Sequence, residues 1–224
     1  MMGDTVEPWF EGINLLGRVA WVGTGCWLLA NGDDAAVLEL PPSVWGGPDP
    51  VRLAAQAAKE RGLHVKYLLC THAHLDHFSR PTLRRMRATF PDAEAVLQAG
   101  FRGVVDDPLG VRFFDRCEAL DLGGEPLFLV HAPKHSRTDT LVFFRGAVCT
   151  GDWELETRRT VHDWNPLWRV PVETRVESCE RMMRFQRERN YDVHRVYSVH
   201  GTERRENVDF PALMAQTRED RQLW

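Results

Sequence analysis

Val65-Lys66-Tyr67-Leu68-Leu69-Cys70-Thr71-His72-Ala73-His74-Leu75-Asp76-His77 decides how this chain is read. Its first six residues are a short, bounded apolar run, which predicts a buried strand. Thr71 to His77 then lies on the loop where that strand ends, and carries three imidazoles and a carboxylate. His72 and His74 are two apart, so extended backbone sends both rings to one side. Asp76 and His77 follow once the chain has had room to turn, and face a second point nearby. Neutral imidazoles and carboxylates are the ligands that suit borderline divalent metals such as zinc, iron and manganese.

Three later positions repeat this logic of a polar ligand on the loop after a strand. His135 follows a strand expected at 127–131, Asp152 one at 147–149, and His200 one at 193–199. If those strands lie in packed sheets, their ends converge on one edge, where sites of α/β proteins form.

Around these points the chain alternates strands and helices. Strands are expected at 17–22 and 26–30, and Asn31-Gly32-Asp33-Asp34 signals a hairpin into a strand at 35–40. Residues 1–17 are turn-rich and give no clear element. Asp49-Pro50 opens a helix that Gly62 stops, and Ser79-Arg80-Pro81 opens a second to about Phe90. Short strands are expected at 94–97, 111–114 and 140–144, with helices at 173–189 and 210–220. Residues 153–171 hold three tryptophans and two prolines and read as a loop or lid. Strands in two groups, each closing with helices, predict a layered α/β sandwich.

The 224 residues are enough for one good core, so 1–224 is expected to form a single domain. A net charge of -4 gives no electrostatic reason for a nucleic-acid or anionic-membrane partner. No apolar run approaches the length of a membrane span. The first eight residues lack the basic-then-apolar pattern of a secretory leader. Five scattered cysteines fit a reducing cytoplasm.

Taken together, His72-x-His74-x-Asp76-His77, His135, Asp152 and His200 resemble the metallo-β-lactamase superfamily, over about Gly17 to Gly201. The resemblance implies a four-layer αββα sandwich and two divalent metal ions, with zinc first in expectation and iron or manganese as alternatives. It implies that His72, His74 and His135 hold the first ion. Asp76, His77 and His200 would hold the second, with Asp152 bridging. Two cations about 3.5–4 Å apart need anions between them, and hydroxide plus Asp152 fit that need. The acidic residue that ends the hairpin, usually an aspartate supporting the ligands, is Glu39 here. Lys134 stands where a glycine is usual, so that turn is shaped differently or Lys134 projects toward the substrate.

The chemistry expected is hydrolysis by a metal-bridging hydroxide, with Asp76 as both ligand and proton shuttle. Asp152 argues against a β-lactamase, and only 24 residues follow His200, which argues against a glyoxalase II with its helical C-terminal domain. Trp153, Trp164 and Trp168 are candidates to wall an apolar pocket for an acyl or aromatic group. They serve equally well as core or as the face of a homodimer. The expected substrate is a small ester, thioester or lactone. A phosphodiesterase of the same fold and a non-hydrolytic di-iron redox protein are the alternatives. His131 and His162 are weaker candidates for contacts near the site, His64 and His194 read as surface residues, and Asp139 either orients the His135 loop or stabilises its turn.

Overall fold

Alternate residues of the central strands point into two different layers of core. In the strand Glu125–His131 (β9), Leu127 and Leu129 enter one layer while Phe128 and Val130 enter another. Thr140–Phe144 (β10) divides in the same way, Val142 and Phe144 against Leu141 and Phe143. A strand that buries both faces reads as an apolar run, as these do. The computed structural model describes residues 6–19, 21–44, 47–105 and 110–220. The first five residues, read above for a leader, and Ala20 of the strand expected at 17–22 lie outside the described residues.

One sheet runs in spatial order through Glu7–Phe10 (β1), Ile13–Val19 (β2), Thr24–Asn31 (β3), Asp34–Leu38 (β4), His64–Leu69 (β5), Glu94–Gln98 (β6) and Val111–Phe114 (β7). The other runs Arg204–Glu206 (β13), Arg195–Tyr197 (β12), Ala147–Cys149 (β11), β10, β9 and Cys117–Leu122 (β8). Trp27, Leu38 and Leu69 meet Leu129, Phe144 and Tyr197 between the sheets. Helices Pro50–Arg61 (α1) and Arg80–Thr89 (α2) cover the outer face of the first sheet, while Val172–Arg189 (α3) and Phe210–Glu219 (α4) cover that of the second. The result is the four-layer αββα sandwich.

Both early helices start and stop where their local chemistry dictates. The Asp49 side chain accepts from the Val51 amide, and Gly62 takes φ 63° at the C-terminus of α1. Ser79 caps α2 in the same manner. Strands β1, β8 and β13 had no clear signal, and each lies at the edge of its sheet. Edge strands bury one flank only and tolerate proline and charge, as in Glu7-Pro8-Trp9-Phe10 and Arg204-Arg205-Glu206.

Parallel pairing in each sheet sets loops side by side at one rim. Leu38 pairs with Leu69, so Glu39 and the His72 loop leave adjacent strands, joined by Glu39 N–H to Leu69 O at 2.9 Å. Cys149 pairs with Tyr197, which brings Asp152 beside His200; Val199 N–H donates to Gly151 O at 3.1 Å. Gly151 takes φ 62°, a left-handed turn that glycine adopts at little cost. Thr140 N–H to Thr71 O, 2.8 Å, and Gly25 N–H to Val199 O, 3.2 Å, stitch the two sheets together at this rim. No helix of the described residues is long and apolar enough to cross a membrane.

Candidate metal centre

All seven expected ligands meet at that rim. His74 Nδ1 lies 3.0 Å from His72 Nε2 and 3.2 Å from His135 Nε2, forming one set of three nitrogens. Asp76, His77 and His200 form a second set, with His77 Nε2 3.1 Å and His200 Nε2 4.0 Å from Asp76 Oδ2. Asp152 Oδ2 sits between them, 3.2 Å from His77 Nε2, 3.3 Å from His200 Nε2, 3.7 Å from His135 Nε2 and 3.9 Å from His72 Nε2. One carboxylate oxygen thus faces four imidazoles drawn from both sets.

The groups behind the ligands decide which nitrogen each ring offers. Glu39 is fully buried; one oxygen accepts from the Thr71 amide at 2.8 Å and the other meets His77 Nδ1 at 3.2 Å. The substitution of glutamate for aspartate therefore keeps the supporting contact. Glu39 takes φ 79°, a region costly for a residue with a side chain, and its buried hydrogen bonds hold it there. Thr71 Oγ1 lies 3.1 Å from His72 Nδ1, which leaves Nε2 for the site. Asp139 orients the His135 loop: its Oδ2 accepts from the amides of Lys134, His135 and Ser136 at 2.7–2.9 Å.

This network tests whether the site suits a cation. With Nδ1–H given to Glu39, His77 Nε2 has no hydrogen, is buried, and has no hydrogen-bond partner. Its lone pair faces two carboxylate oxygens at 3.1 and 3.2 Å. Electron-rich atoms that close repel unless a positive charge lies among them. A second proton on His77 meets the same need. Burial alone would lower its pKa, yet the carboxylates of Asp152, Asp76 and Glu39 outweigh burial and hold it well above the ordinary value. Burial, with His135 and His162 nearby, lowers His74 to about 4, so its imidazole is neutral at physiological pH, the form that can bind a cation. Asp152 is pulled far below the usual carboxylate range by His200, His77 and His72, against the upward push of burial. The donor set fits divalent cations with nitrogen and oxygen preferences.

The candidate contacts take different places. Lys134 does not face the site: it is fully buried, and its Nζ donates to Glu154 Oε2 at 3.1 Å and Arg159 O at 2.9 Å. A buried ammonium survives only with such partners, so the turn is shaped around it. Trp153 is core, 3% exposed, with its indole N–H on Ala132 O at 3.0 Å. Trp168, 54% exposed, has its ring 6.2 Å from that of His74, beside the site. Trp164 is 76% exposed and shares its loop with exposed Leu167. His131 turns away, meeting Arg137 O at 2.9 Å, and the His64 side chain is exposed.

Several residues carried no recognisable signal. Glu154 Oε1 approaches His135 Nδ1 to 3.8 Å and also accepts from the Val161 amide at 2.9 Å. Thr24 Oγ1 donates to Asp76 at 3.4 Å, and Arg18 donates to the carbonyls of His200 and Gly201 at 3.1 and 3.0 Å. Arg175, 2% exposed, lies within α3 and binds the 153–170 loop. Only the pairing of distant segments reveals these roles.

No family model matches the chain, and no curated protein matches it in sequence. Solved structures do match in fold. A metallo-β-lactamase family protein from Thermus thermophilus aligns with TM-score 0.62 at 15% identity, over 94% of this chain and 79% of its own. ETHE1 from Myxococcus xanthus aligns with TM-score 0.64 at 16% identity, over 91% and 85%. Rubredoxin oxygen:oxidoreductase from the anaerobe Desulfovibrio gigas aligns with TM-score 0.66 at 12% identity, over 96% of this chain and 61% of that one. Two facing sheets, helices on both outer faces and a His/Asp cluster at one rim accord with these likenesses, and the chain has the metallo-β-lactamase fold.

Proposed function

We propose that this protein is a dinuclear metal-dependent hydrolase that cleaves a small ester, thioester or lactone. The observation that supports this most is the single oxygen of Asp152 set between two groups of three ligands. His72, His74 and His135 would hold one ion, and Asp76, His77 and His200 the other, with Asp152 touching both. A bound pair of cations supplies Lewis acidity and an acidified water as nucleophile. Zinc is the first expectation, and iron or manganese suit the same ligands.

The chain's own groups supply the rest. Glu39 and Thr71 fix the tautomers of His77 and His72, and Asp139 fixes the loop of His135. Asp76, half-buried, takes the proton released on attack and passes it to the departing alcohol or thiol. Trp168 offers an apolar wall for the acyl part of a small-molecule substrate.

A panel of acyl-thioesters, lactones, aryl esters and aryl phosphates, offered to metal-loaded protein, tests the reading. Turnover of an acyl compound that disappears on chelation is expected. Turnover confined to aryl phosphates would make the protein a phosphodiesterase. Iron with a visible absorption band and no hydrolysis at all would make it a redox protein.

A further inference from the structure

His162 belongs to neither ligand set, yet its ring packs on one member after another. Its centroid lies 4.9 Å from that of His74, 4.6 Å from His135 and 5.2 Å from Trp168. Its Nε2 is buried with no hydrogen-bond partner, an unfavourable state for a polar atom.

The loop that carries His162 is held in place. Thr160 N–H donates to Asp163 Oδ2 at 3.1 Å and Val161 N–H to Glu154 Oε1 at 2.9 Å. Arg175 binds Asp163 as well as the carbonyls of Arg158, at 2.6 Å, and Val170, at 2.8 Å. Lys134 binds the carbonyl of Arg159. Two buried cations and two carboxylates therefore fix the backbone on both sides of one imidazole. An anchored polar group whose Nε2 has no protein partner, placed on the His74/His135 side of the cluster, is suited to meet a ligand there.

The geometry points to His162 as a substrate-contacting residue: its imidazole N–H donates to the acyl oxygen of a substrate lying over His74 and His135, with Trp168 packing on the apolar acyl group. This rests on the hydrolase reading above. On attack, the carbonyl π pair moves onto that oxygen, and the hydrogen bond strengthens as the charge grows; the pair returns when the bond to the alcohol or thiol breaks. The N–H stays on His162 throughout. The substrate class this selects is an ester or thioester of an apolar, aryl-bearing acid.

The test uses zinc-loaded full-length protein with phenylacetate, the carboxylate product of such a substrate, and aryl phenylacetate esters for turnover. In the wild type, phenylacetate is expected to move the ¹⁵N resonance of His162 Nε2 saturably. His162→Phe, which keeps the ring packing, should bind phenylacetate about tenfold more weakly and lower kcat about 10²-fold, at unchanged zinc content. His162→Asn, which restores a donor, should recover most of the binding. An unmoved resonance in the wild type would overturn the proposal, as would wild-type affinity in His162→Phe. Loss of zinc from His162→Phe would overturn it too, by making the ring a support for His74 and His135. If the binding results hold and no ester is cleaved, the contact stands and the hydrolase reading fails.

Discussion

The floor and the roof of this site are built by different physics. The floor is the seven expected ligands on strand-end loops, locked from below by Glu39 and Asp139 and by hydrogen bonds between the two sheets. The roof is the 153–170 loop, which has no regular element and hangs on the buried cations Lys134 and Arg175. Its underside is His162 and core Trp153, while its outside shows Trp164, Leu167 and Trp168 to solvent. On the proposed reading the contrast separates capability from choice: the floor would set what chemistry the site can do, and the roof which molecule it meets.

The contrast can be broken most severely from the floor. Asp152→Ala or His74→Ala should reduce turnover to background and strip bound metal, as judged by elemental analysis of purified protein. Either variant that keeps full activity while metal-free would end the account of the floor. Breaking the roof should cost stability instead of metal. Arg175→Met leaves Asp163 without its buried cation and should cost about 3–5 kcal/mol in denaturant unfolding, with metal content per folded chain unchanged. Metal loss equal to that of Asp152→Ala would mean that floor and roof are one unit.

Much of the floor was legible in the sequence, and the reason is local. His72-x-His74-x-Asp76-His77 follows its strand directly, and His135, Asp152 and His200 each stand a few residues past an apolar run. The apolar runs at 127–131 and 140–144 read as strands, and the grouping of strands with closing helices gave the layered sandwich. The roof was legible only as a loop or lid, not in what holds it. Lys134 and Arg175 look like surface residues in a list of letters, since nothing nearby in sequence shows that Glu154, Asp163 and three carbonyls wait for them. Trp153 and Trp168 carry the same side chain in the same loop, yet one is core and the other rims the site. Edge strands β1, β8 and β13 escaped for a related reason: with one flank unpaired, they need little apolar pattern.

A smaller effect sharpens the boundary of the floor. Glu39→Gln keeps the shape but weakens acceptance from His77 Nδ1, and should lower metal affinity about 10- to 100-fold in a competitive chelator titration. Unchanged affinity would reduce Glu39 to a packing role.

The smallest effect lies where floor and roof touch, at Glu154. Burial would raise its carboxyl, but the pull of His135 and Lys134 prevails and brings it down to about 2 from an ordinary 4.5. A carboxyl depressed by folding stabilises fully above its unfolded value and loses that contribution as pH falls toward the folded one. Metal-free wild type should therefore lose stability between about pH 4.5 and 2, and Glu154→Gln should show a shallower slope there in pH-dependent melting. Equal slopes would remove Glu154 from the coupling between the two regions.

Anomalous diffraction from crystals grown with zinc tests the central claim most directly. The account predicts two peaks per chain, one bounded by His72, His74 and His135 and one by Asp76, His77 and His200, with Asp152 in contact with both. A well-folded, zinc-saturated crystal with one peak or none at this rim would contradict it.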